Sequence, residues 1–196
     1  MNRTPRYTFV QMLVVITLIA VVTAFVVPAI GRARDQANFI RCKDNLRRIG
    51  SELILYANAN GGQLPVSAAV DSPHLDLLQS LAASHCLADP FNYYCPSQRQ
   101  PSLSYSPQNF ASGVIGYYYY CAQAASSNPN ISKFLRSGVS WPRKLNMTMD
   151  PKSWVMSDYW ISAVPTSHST YRKGINFLTL DGSVDFVGES PRQVFH

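Results

Sequence analysis

A chain of 196 residues with a formal net charge of +6 and a pI near 9.3 has room for one ordinary domain and an appendage. Its basic residues are scattered, and no basic run is interleaved with aromatics, which argues against the footprint of a nucleic-acid groove or strand binder. No HExxH, GxSxG, P-loop or GxGxxG pattern occurs, so no enzyme class and no small-molecule substrate is signalled.

The first element is apolar. From Tyr7 to Ile30 there is no charged residue, and Thr8, Gln11, Thr17 and Thr23 are the only strongly polar side chains. At about 1.5 Å per residue such a helix crosses a hydrocarbon core of about 30 Å with some tilt. A secretory signal peptide has a shorter apolar core of about 7–15 residues and a small-residue cleavage site. Neither is found here, so the spacing predicts a retained membrane anchor over 7–30 behind a short basic leader, residues 1–6, containing Arg3 and Arg6. Pro28 removes one helical hydrogen bond near the end of the segment and predicts a kink or a melted turn in a continuing helix.

Beyond Gly31 the pattern turns amphipathic. Phe39, Cys42, Leu46, Ile49, Leu53 and Tyr56 recur at spacings of 3, 4, 3, 4 and 3, one apolar stripe of an α-helix. Asn58, Asn60, Gly61 and Gly62 supply its stop. The reading is one helix from about residue 6 to about residue 59, half in lipid over 7–30 and half amphipathic over 31–60.

Residues 61–196 read as a small α+β domain. A short helix is expected over Leu75–Leu87, an exposed loop over 97–113, and strands over 116–124 (GYYYYCAQA) and 153–160 (SWVMSDYW). The run INFLTLDGSVDFV predicts a hairpin with a two-residue type I′ turn at Asp181-Gly182. That turn pairs Phe177 with Phe186 and puts Ile175, Phe177, Val184 and Phe186 on one face, toward the helix stripe. The whole is expected to be a long N-terminal helix packed on a small antiparallel sheet.

Four cysteines, Cys42, Cys86, Cys95 and Cys121, have no zinc-like spacing; up to two disulfides in any of three pairings, or reduced core thiols, are open. His85 beside Cys86 is no nucleophile pair, because neighbours on a helix point apart. Asp158, Asp181 and Asp185 do not spell an EF-hand or another oxygen cage, and the residues themselves indicate no cofactor.

Several segments carry a resemblance. The apolar run YTFVQMLVVI, Pro28, the stretch RCKDNLRRIG…YANANGG, the YCPS of Tyr94–Ser97 and the NFLTLDGSVDF of Asn176–Phe186 together resemble type IV pilins and the pseudopilins of type II secretion systems. The likeness is strong over residues 6–65 and patchy beyond. It implies a structural subunit, in a minor or filament-tip position or as an unassembled membrane-tethered binding module, partnered by the lipid bilayer and by other pilin-like subunits. It also implies a bacterial inner-membrane location with the C-terminal domain on the periplasmic side, and a late loop that in major pseudopilins often binds calcium.

Two family positions differ. The glycine that precedes the prepilin cleavage site falls at Arg6, before Tyr7, and the glutamate fifth in the mature chain falls at Gln11. Arginine is far bulkier than glycine, so poor or no processing at Arg6–Tyr7 is expected. Charge argues separately about topology. Arg32, Arg34, Arg41, Lys43, Arg47 and Arg48 follow the span while only Arg3 and Arg6 precede it, which taken alone favours a cytoplasmic domain; long domains translocate despite such flanks, and the resemblance implies export.

Overall fold

In the computed structural model of the chain, residues 8–87, 89–98, 100–124, 144–159 and 174–188 are described. Helix α1 runs unbroken over Phe9–Ala59 and contains Pro28, so no turn melts there. Asn60 caps its end, and Gly61 and Gly62 leave it with φ of 62° and 82°, a backbone region in which glycine carries no steric penalty. Everything from Phe9 to Arg34 is exposed, whereas Phe39, Cys42, Leu46, Ile49, Leu53 and Ala57 are buried. The amphipathic stripe thus buries one face of the helix beneath the rest of the chain.

Strand β1 (Ser67–Ala69) and helix α2 (Leu75–Ala83) follow. α2 stops before the expected Leu87, where His85 turns to a φ of 54°. Two short 3-10 turns, Pro90–Tyr93 and Pro101–Leu103, lead to a one-turn helix α3 (Pro107–Ala111). Residues 97–113 are therefore not a bare exposed loop: Leu103 is buried, and Tyr105 packs its ring 4.1 Å from Phe91 and 5.3 Å from Tyr94.

The sheet order is β2-β4-β5-β6, built from β2 (Tyr117–Tyr119), β4 (Trp154–Asp158), β5 (Gly174–Thr179) and β6 (Val184–Gly188), all antiparallel. The strand expected over 116–124 is two strands. β3 (Ala122–Ala124) leaves the sheet to pair in parallel with β1. The fold is α+β, a long N-terminal helix with an apolar first part, packed on a four-stranded antiparallel sheet.

The hairpin register differs from the expected one by a residue. Leu178 pairs with Val184 and Asn176 with Phe186, because the loop is Leu180-Asp181-Gly182, closed by Thr179 N to Ser183 O at 3.0 Å and Gly182 N to Thr179 O at 3.0 Å. A type I′ turn needs positive φ at both central residues. Here only Gly182 has it, at 81°, which gives a three-residue loop with a glycine bulge. One residue of slip turns alternate side chains to opposite faces. Leu178, Val184 and Leu180 accordingly pack under α1, while Ile175 and Phe177 join Trp154, Tyr118 and Tyr120 on the far face. Phe177 does not pack on the helix; its ring stacks 4.2 Å from Trp154. Phe186 does reach the helix, 5.3 Å and edge-on to Phe39.

Candidate functional site: the long helix and its clamp

The threonine hydroxyls in the exposed half of α1 are satisfied within the helix. Thr17 Oγ1 donates to Val14 O at 2.8 Å and Thr23 Oγ1 to Ile19 O at 2.9 Å, so neither hydroxyl needs a partner beyond its own helix. At the N-terminus Thr8 N donates to Gln11 Oε1 at 2.9 Å and Gln11 N to Thr8 Oγ1 at 3.3 Å. This reciprocal pair is a capping box, which satisfies two of the donors a helix start leaves open. Gln11, where the resemblance to pilins places a glutamate, is thus used locally. The T-x-x-Q spacing of Thr8 and Gln11 carries that signal in the sequence. Arg6 and Tyr7 lie outside the described residues.

The buried half of α1 is clamped to the segment 90–95 through one face. Cys42 forms a disulfide with Cys95, Cα to Cα 5.1 Å. One turn on, Asn45 Nδ2 donates to Tyr94 O at 3.0 Å, and two turns further the buried Glu52 carboxylate accepts the Tyr93 hydroxyl. Residues 42, 45, 49 and 52 are spaced 3, 4 and 3, the repeat of one helix face, so covalent and polar links run along a single line. Burial, then the nearby Glu52 charge, push the Tyr93 hydroxyl far above its ordinary pKa, keeping it a donor. Cys121 is a buried thiol whose Sγ accepts from Leu145 N at 3.2 Å, and Cys86 is a half-buried free thiol.

Beside the disulfide, the buried Asp158 Oδ2 accepts from Asn176 N at 2.8 Å and Asn176 Nδ2 at 2.9 Å. Sulfur and carboxylate atoms of Cys42, Cys95 and Asp158 lie within 4.8 Å of one another, but the two sulfurs are bonded to each other and offer no thiolate pair to a cation.

The late turn holds a different arrangement. Asp181 accepts from Lys152 Nζ at 2.8 Å, Thr179 Oγ1 at 2.6 Å and Ser183 N at 2.9 Å. Lys152, then Thr179, hold the Asp181 carboxyl well below the usual carboxylate range. Asp158 and Asp181 are thereby engaged with different protein donors and do not converge with Asp185 on one point. These described acids therefore do not form an oxygen cage of the kind a calcium ion needs.

Among the described residues, a hydroxyl and an imidazole meet at one place. Ser67 Oγ lies 3.0 Å from His74 Nδ1, both fully buried. Burial pushes the His74 pKa down to about 4, so the ring is neutral, and its place is structural: the His74 amide donates to Gly113 O at 2.6 Å. No family model, no curated protein and no solved structure matches this chain.

Proposed function

We propose that this chain is a structural subunit of the pilin or pseudopilin kind, serving a type II secretion or type IV pilus-type filament, as a minor or tip component. The observation that carries the reading is the division of α1: a first part exposed on every side with an 18-residue window of mean hydropathy 2.9, continuous with a second part buried under a sheet. The first part suits a bilayer or the helices of neighbouring subunits. A disulfide in the domain suits an oxidising compartment, which favours the extracytoplasmic side of a bacterial inner membrane. Its work would be non-catalytic packing of helix on helix. Deleting the chain from its host and scoring secretion and surface filaments, with co-purification of subunits of like architecture, tests this. Full complementation by a version lacking residues 1–30 would overturn it.

A second reading, a membrane-tethered binding module that never assembles, rests on Arg6 and on Gln11 being spent in its own helix cap. A chain that remains monomeric in its native membrane separates it from the first.

A further inference from the structure

The part of α1 that leaves the apolar segment has one face the domain does not cover. Ala33, Ala37, Ile40, Asp44, Ser51 and Leu55 are all exposed and keep the spacing of one helix face. Ile40 and Leu55 expose 49% and 59% of their surface, an unusual expense for large apolar side chains on a helix that buries its other stripe. The face is bordered by two basic rows. Arg34, Arg41 and Arg48 stand seven apart on one side, and Arg32, Lys43 and Arg47 line the other. Of these six, only Arg47 has an ion pair among the described residues, to Asp44 at 2.9 Å.

We infer that this face docks an acidic amphipathic helix of a different subunit, not a second copy of this chain and not lipid. The inference rests on the subunit reading above and names its partner. Ile40 and Leu55 are the two large apolar anchors of the face; between them lie Ser51 and Asp44, whose charge Arg47 holds, and charged rows flanking such anchors set which partner charges a helix accepts. A second copy would bring basic rows against basic rows, and like charges juxtaposed across an interface disfavour it. Anionic headgroups extend only about 5–7 Å beyond the hydrocarbon. At about 1.5 Å per residue from Ile30, Arg32 and Arg34 reach them but Arg41 and Arg48, about 17 and 27 Å out, do not. An acidic helix lying along the face meets all of them.

The test uses the full-length chain, labelled at Cys86 with donor or acceptor dye, reconstituted in lipid vesicles with a copy carrying Arg34→Glu, Arg41→Glu and Arg48→Glu. That copy stands in for the acidic helix. The wild type mixed with it should show energy transfer roughly threefold or more above the wild type mixed with itself, falling toward that baseline in about 1 M salt, where the screening length is about 3 Å. In native membranes, a photo-crosslinker placed at Ile40 should attach to a helix of another subunit rich in Asp and Glu. Wild-type self-association equal to the mixed pair overturns the acidic-partner inference while leaving the subunit reading intact. No association in vesicles together with crosslinks to lipid alone overturns both.

Discussion

Leu178 occupies the space that a side chain on Gly50 would need: a Cβ built there lies 2.8 Å from Leu178 Cδ1. Glycine in mid-helix costs roughly 0.5–1 kcal/mol against alanine, and here it lets β5 approach α1 directly. Gly50→Ala should be close to neutral in thermal unfolding, the helix gain offsetting the contact. Gly50→Leu should destabilise by about 1–3 kcal/mol through overpacking, and Leu178→Ala by about 2–5 kcal/mol through the cavity it leaves.

His74 makes stability fall in acid. Burial holds its folded pKa at about 4, below the ordinary histidine value of 6.5, so as pH drops the unfolded chain binds the proton first. The contribution is complete above about pH 6.5, is lost progressively down to about pH 4, and is flat below, up to about 3 kcal/mol in all. Unfolding midpoints of the detergent-solubilised chain across that window check this, and His74→Gln should flatten the slope. A slope unchanged in the variant would assign the acid sensitivity elsewhere.

The disulfide closes a loop with a sequence separation of 53, for which chain entropy gives about 4 kcal/mol. Cys42→Ser with Cys95→Ser should therefore lower the unfolding midpoint steeply, while Cys121→Ser should cost less. In the native chain alkylation should reach Cys86 rapidly and the buried Cys121 only after denaturation, counted by mass.

At the late turn, Gly182 holds a φ of 81° with Ile54 Cδ1 3.2 Å from a Cβ placed there. Gly182→Val should destabilise by about 1–2 kcal/mol or more, as left-handed backbone disfavours a branched side chain. Gly182→Asn should recover part of that loss in the same melt.

These residues also show what the sequence could and could not tell. The stripe from Phe39 to Tyr56 is legible because its 3.6-residue period extends over several turns; five of its six positions are buried and Tyr56 is half-buried. The hairpin was legible as an element and not in register: Asp181-Gly182 serves a two-residue loop and a three-residue glycine bulge equally, and what separates them is Leu180 turning under α1, a tertiary contact. β1 and β3, three residues each, are too short to show a period. Four cysteines permit three pairings. The pair formed joins the helix face that carries Asn45 and Glu52 to the segment ending in Tyr93 and Tyr94, and that docking has no pattern along the chain. Gln11 had a local signal, Thr8 three residues before it.

The central claim, an anchored chain whose domain lies outside the cytoplasm, is tested most directly by non-reducing intact mass of the protein from carbonate-washed membranes of spheroplasts treated with a membrane-impermeant maleimide. The account predicts a chain retaining residues 7–30, uncut at Arg6–Tyr7, with one disulfide and one maleimide, at Cys86. A chain lacking residues 7–30, or one labelled only after the cells are lysed, would contradict it.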